Sequence, residues 1–86
     1  MSRYEITFAR SARRELEALQ AQLVARTWAR IQALRGQPRP PGCRKVHGEE
    51  AVWRIRVGDY RVLYEIKDAT RIIDIVAVRH RRDAYR

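Results

Sequence analysis

Cysteine, histidine and lysine are nearly missing from this chain, which has one Cys, two His and two Lys. The lone Cys43 excludes an internal disulfide and a thiolate metal cluster. His47 and His80 lie far apart and lack metal-ligand spacing, so neither a metal nor another cofactor is expected. No apolar run approaches the roughly 18 residues that a membrane span requires. The opening Met1-Ser2-Arg3-Tyr4-Glu5 carries no apolar signal-peptide core, and a cytoplasmic protein with no membrane partner is expected. Acidic residues are also short, ten against nineteen basic, for a net charge of +9.

What is present is arginine. Only Lys45 and Lys67 among the nineteen basic residues are not Arg. The planar guanidinium meets phosphate oxygens two at a time, whereas an ammonium is a point charge. A small Arg-dominated domain therefore points first to nucleic acid, although a generally basic surface gives the same composition. Eighty-six residues, 45% of them hydrophobic, suit one folded domain spanning 1–86 and exclude wholesale disorder.

Tyr4, Ile6 and Phe8 alternate with Arg3, Glu5 and Thr7, which predicts a half-buried strand. Ser11 is the expected N-cap of a helical stripe through Ala12, Leu16, Leu19 and Leu23. A second stripe follows through Val24, Trp28, Ile31 and Leu34 to Gly36. With no Gly or Pro near Gln20–Gln22, two helices and one bent helix are both open. Gln37 to Glu50, with three prolines and two glycines, reads as a loop. Alternation returns at Trp53–Val57 and Tyr60–Ile66 around a Gly58-Asp59 turn, and Ile72–Val78 forms a last strand. The economical architecture is α+β in two layers, one sheet carrying a helical pair on its apolar face.

The two-residue turn sets a register. Val57 faces Tyr60, Arg56 faces Arg61, Ile55 faces Val62 and Arg54 faces Leu63. Trp53, Ile55, Val57, Tyr60, Val62 and Tyr64 then form a core face, while Arg54, Arg56, Arg61, Leu63 and Glu65 share the other. Like charges directly opposite on a sheet cost up to about 1 kcal/mol. Such a cost is expected where an anion normally sits between the charges; a solvated face partly relieved by Glu65 is the plainer reading. The last strand is expected to bring Arg79, Arg81 and Arg82 to the same surface. Arg44, Lys45, Arg79, His80 and Arg82 are expected RNA contacts. Trp28 and Trp53 read as core, and Cys43 and Glu49-Glu50 as bystanders.

The segment Trp53-Arg54-Ile55-Arg56-Val57-Gly58-Asp59-Tyr60-Arg61-Val62-Leu63-Tyr64 resembles the signature hairpin of the RelE/ParE toxin superfamily, in its RelE-like branch. The resemblance runs along nearly the whole chain, from Tyr4-Glu5-Ile6 through Pro38 and Pro41-Gly42 to Arg79-His80-Arg81-Arg82-Asp83-Ala84-Tyr85. It implies a β-α-α-β-β-β fold whose N-terminal strand lies beside the C-terminal one in an antiparallel sheet. It implies the toxin of a type II toxin–antitoxin pair, a metal-independent endoribonuclease cleaving ribosome-bound mRNA by attack of a 2′-OH on the adjacent phosphate. Its partners would be an acidic antitoxin, the ribosome and mRNA.

The family's functional positions fall on Arg54, Arg56, Arg61, Arg81 and Tyr85. The first three coincide with the residues selected by the hairpin register. Arg stands at 54 and 56 where the family's best-known pattern has lysine, and a guanidinium with a pKa above about 12 is no general base. Proton transfer would then fall to Tyr85 if cationic surroundings lower its pKa, with His80 in reserve. The alternative is a ParE-like inhibitor of DNA gyrase on the same fold; a catalytically dead RNA-binding relative is a third reading.

Overall fold

The computed structural model of the chain describes residues 3–46, 48 and 51–82. Among these the order is β1 (Glu5–Phe8), α1 (Arg10–Glu17), α2 (Ala21–Ala33), β2 (Arg44–Lys45), β3 (Val52–Val57), β4 (Tyr60–Lys67) and β5 (Ile72–His80). The five strands form one sheet in the order β1-β5-β4-β3-β2. The α+β class and the helical pair agree with the pattern of the sequence.

Strand direction differs from expectation at one place. β2 to β5 pair antiparallel, but β1 runs parallel to β5, with Glu5 opposite Ile72 and Phe8 opposite Ile75. The sheet is therefore mixed rather than antiparallel. A tight turn forces neighbours to reverse, but β1 and β5 are joined through everything between them, and so long a crossover permits parallel pairing. The region read as a loop also contributes β2, a two-residue strand whose Arg44 and Lys45 pair with Arg54 and Trp53.

The two helices are separate. Gln20 is extended (φ −61°, ψ 150°), which breaks the helical path without Gly or Pro. α1 starts at Arg10 with Ala9 at the N-cap, two residues earlier than a Ser11 cap requires. The methyl group of Ala9 has no polar atom to cap with, and its N–H stays on the sheet, donating to the Ile75 carbonyl at 2.8 Å.

Ala12, Leu16, Ile31 and Leu34 pack on Ile55, Val57, Val62, Tyr64, Ile66, Ile73, Ile75 and Val78. In α2 the buried position is Thr27, not Trp28, which is 45% exposed and stacks on Phe8 at 5.9 Å. Positions 24, 27, 31 and 34 satisfy a helical stripe as well as 24, 28, 31 and 34 do, and a polar Thr disguises the true one. Trp53 is half-buried against the core, with the Arg39 guanidinium 5.2 Å from its ring centre. The Tyr64 hydroxyl donates to the Pro38 carbonyl at 2.8 Å and so ties the Pro-rich loop over this end of the sheet. Burial raises the Tyr64 pKa well above the usual phenol range.

One irregularity positions the site. Tyr64 faces Ile75 but Leu63 faces Ala77, so Val76 is an extra residue in β5. Ile73 and Ile75 point into the core, and strict alternation would send residue 79 the same way. The bulge inverts the alternation: Val78 turns inward, and Arg79 joins the face of Arg61.

Candidate nucleic-acid interface

The β3–β4 hairpin has the register that its turn dictates, with Arg56 opposite Arg61 and Arg54 opposite Leu63. Gly58 has φ +61° while Asp59 keeps an ordinary negative φ, the pattern of a type II′ turn, which matches the strand twist. The helices cover one face of the hairpin and leave the other open.

On that open face, cross-strand pairing joins arginines from four strands. Arg44 of β2 faces Arg54 of β3, while Arg56 of β3 faces Arg61 of β4, which in turn faces Arg79 of β5. Arg44, Arg54, Arg56 and Arg61, together with Gly42, line an open cavity of about 150 Å³. Gly42 has φ +89° and nothing within 4 Å of where a side chain would begin, so the loop leaves the mouth clear. Four arginines thus line one cavity, and a guanidinium is a forked donor whose geometry suits phosphate oxygens.

Neighbouring groups hold the arginines in different ways. The Arg56 Nε donates to the Gly58 carbonyl at 2.9 Å, fixing this side chain along its own turn. Arg81 follows β5, and its backbone N–H donates to the Asp59 carbonyl at 2.7 Å, which brings the start of the tail to the hairpin tip. Arg79 reaches the sheet edge, where its Nε lies 3.4 Å from the Glu15 carboxylate of α1. The other oxygen of Glu15 accepts the Val78 N–H at 2.9 Å. β1 has already ended at Phe8, so this carboxylate takes the place of a strand partner at the edge of β5.

Not every expected residue joins this face. Lys45 pairs with Trp53, and its Nζ lies 6.0 Å from that ring, on the helix side of the sheet. His80 pairs with Tyr60 and meets its ring edge-on at 5.3 Å, also away from the arginine face. Its Nδ1 accepts the Arg82 N–H at 3.3 Å. Tyr85 lies outside the described residues, as does His47. Among the described residues no group of three His, Cys, Asp or Glu side chains is placed to hold a metal ion. No helix among them is long and apolar enough to cross a membrane.

Sequence reasoning missed Gly42 and Glu15. Gly42 had a legible signal, the Pro41-Gly42 pair; Glu15 had none, since its role depends on where β1 stops.

At the far end of the sheet a second polar cluster closes the fold. Tyr4 and Arg39 both donate to Asp68, with Arg39 Nη2 3.0 Å from Oδ2. The Arg39 bond, then the Tyr4 bond, hold the Asp68 carboxyl below its usual range, and the same contact raises the Tyr4 phenol.

The family described as the ParE toxin of type II toxin–antitoxin system, parDE, matches residues 6–85. Among solved structures, the RelBE2 toxin–antitoxin complex of Mycobacterium tuberculosis is similar at 28% identity and a TM-score of 0.80, covering 91% of this chain and 98% of that one. A RelE–RelB complex from Pyrococcus horikoshii OT3 has 25% identity and a TM-score of 0.82 over 98% of this chain and 100% of its own. A mutant of the E. coli toxin RelE in the free state shares the fold, with 19% identity and a TM-score of 0.81 over 98% of this chain and 88% of its own. No curated protein sequence matches the chain.

Proposed function

Because the chain belongs to the ParE toxin family of type II toxin–antitoxin systems, with the fold of the RelE toxins, we propose that it is an endoribonuclease that cleaves mRNA on the ribosome and so stops translation. The observation that carries this reading is a cavity lined by Arg44, Arg54, Arg56 and Arg61, continued by Arg79 on the next strand. A surface used only to bind another protein has no need of four arginines around one cavity.

In this reaction a ribose 2′-oxygen attacks the adjacent phosphorus, the bond to the 5′-oxygen breaks, and a 2′,3′-cyclic phosphate and a 5′-hydroxyl result. The phosphorane gains negative charge, and Arg56, Arg61 and Arg81 stabilise it. Arg54 and Arg44 hold the strand in the cavity, and Arg79 and Arg82 extend the basic surface. Tyr85 takes the 2′-OH proton, and the departing 5′-oxygen takes its proton from water. None of these roles asks for a metal ion. The ribosome supplies the alignment of message and nucleophile that a small domain with one basic face does not impose alone; such alignment is worth up to about 7–11 kcal/mol in the best cases.

The partner is a cognate antitoxin, as in the toxin–antitoxin complexes that share this fold. A net charge of +9 calls for an acidic antitoxin segment, and the pair acts in the cytoplasm. The description of the matching family as ParE favours a second reading, inhibition of DNA gyrase. Pulse-labelling after induction separates the two: the ribonuclease stops protein synthesis first, and the gyrase inhibitor damages DNA first.

A further inference from the structure

Two arginine side chains, from β3 and α2, and the backbone of another arginine reach the two-residue turn of the β3–β4 hairpin. Arg56 arrives from β3, its Nε on the Gly58 carbonyl at 2.9 Å. Arg81 arrives from beyond β5, its N–H on the Asp59 carbonyl at 2.7 Å. The third is Arg26 of α2, whose two terminal nitrogens lie 3.9 and 4.0 Å from where a side chain on Gly58 would begin. Gly58 is glycine because its φ is +61°, and its missing side chain leaves nothing between Arg26 on one side of the turn and Arg56 on the other.

Arg26 is exposed, and no hydrogen bond or ion pair holds it among the described residues. Asp59, the carboxylate in the turn itself, pairs with none of the three. An exposed guanidinium beside the turn, with no carboxylate paired to it, is available to an anion that arrives there.

We propose that Arg26 binds a phosphate of the substrate strand next to the one cleaved, so that the RNA leaves the sheet face round the hairpin tip and onto the helical layer. The inference rests on the ribonuclease reading and extends its site by one element. Arg56 and Arg26 both approach the same residue, Gly58, so one strand passing the turn meets both. The basic track then runs from the Arg44–Arg54 pair through Arg56 and Arg61 to Arg26, and the helix is part of the RNA path rather than only the back of the sheet.

The test is binding of a short 2′-O-methyl oligoribonucleotide, which keeps the phosphates but lacks the attacking hydroxyl, followed by fluorescence anisotropy over a range of salt. Each single-strand phosphate contact contributes about 0.7 to the slope of log affinity against log salt. Arg26→Ala is expected to reduce the slope by about 0.7 and to leave thermal unfolding unchanged. Arg3→Ala removes the same charge beside Gly36, at the other end of α2, and is expected to leave the slope as it is. Arg56→Ala serves as the positive reference. Arg26→Ala matching Arg3→Ala while Arg56→Ala loses slope would overturn the assignment of Arg26 alone. No salt-dependent binding by the wild type would overturn the ribonuclease reading and Arg26 with it. Arg26→Ala weakening binding to empty ribosomes but not to the free strand would give the contact to ribosomal RNA and also overturn the proposal.

Discussion

Arg79 stands opposite Arg61 because β5 carries one residue, Val76, that β4 does not match. The bulge extends the Arg56–Arg61 pair to a third strand, and the Glu15 carboxylate secures the edge where this happens. The open face is thus a product of three strand pairings, and none of its arginines belongs to the buried core.

The arginines of this face should be separable from folding. Arg61→Ala and Arg81→Ala are each expected to lower the cleavage rate by roughly 10²–10³, the usual loss for one preorganised transition-state donor. Circular dichroism should show both variants folded, and Arg3→Ala should cleave like the wild type. A folded, fully active Arg61→Ala would remove this residue from the site.

Glu15 does two jobs that substitution can divide. Glu15→Gln keeps an acceptor for the Val78 N–H but loses the charge beside Arg79. Glu15→Ala loses both and exposes an unsatisfied edge N–H, at a cost of about 1–3 kcal/mol. Denaturant unfolding should therefore place Glu15→Gln close to the wild type and Glu15→Ala clearly below it. Equal losses in the two would mean that the ion pair, not the edge hydrogen bond, carries the stability.

Thr27 is fully buried, and its hydroxyl has no hydrogen-bond partner among the described residues. Valine has nearly the same shape and no polar atom to bury. Thr27→Val is expected to stabilise the fold by about 1 kcal/mol, which in a domain of this size raises Tm by about 4–8 °C. A lower Tm would show that the hydroxyl is satisfied.

Acid should loosen the far end of the sheet before the core. Asp68 has a lowered pKa in the folded chain, chiefly through Arg39 and then Tyr4. Its contribution is complete above the unfolded carboxylate pKa of about 4 and is lost as the pH falls through the lower folded value. The stability difference between wild type and Asp68→Asn should be constant near neutral pH and close below about pH 4. A difference that persists at pH 2 would assign the effect to packing.

The hairpin was legible in the sequence because two turn residues leave its strands one register, and the pairing of Arg56 with Arg61 follows from that alone. Arg44 was an expected contact, but the strand β2 that brings it to this face was not legible, since a two-residue strand has no period to detect. The parallel setting of β1 escapes any local argument, and so does the Val76 bulge, which the apolar run of β5 conceals. Trp28 misled for a different reason: hydrophobicity chose the stripe, while the helix turned the smaller Thr27 inward. His80 and Lys45 sit on the helix side because each is paired with an aromatic residue there, a partnership set by register rather than by charge.

The central claim is that the arginine face cleaves mRNA when the ribosome presents it. The most direct measurement compares one mRNA, free and in programmed ribosomes, cleaved by wild type and by Arg61→Ala. The account predicts rapid cleavage only in programmed ribosomes, leaving 2′,3′-cyclic phosphate ends, and its near-complete loss in Arg61→Ala. Cleavage of neither substrate, together with inhibition of DNA supercoiling by gyrase, would contradict it.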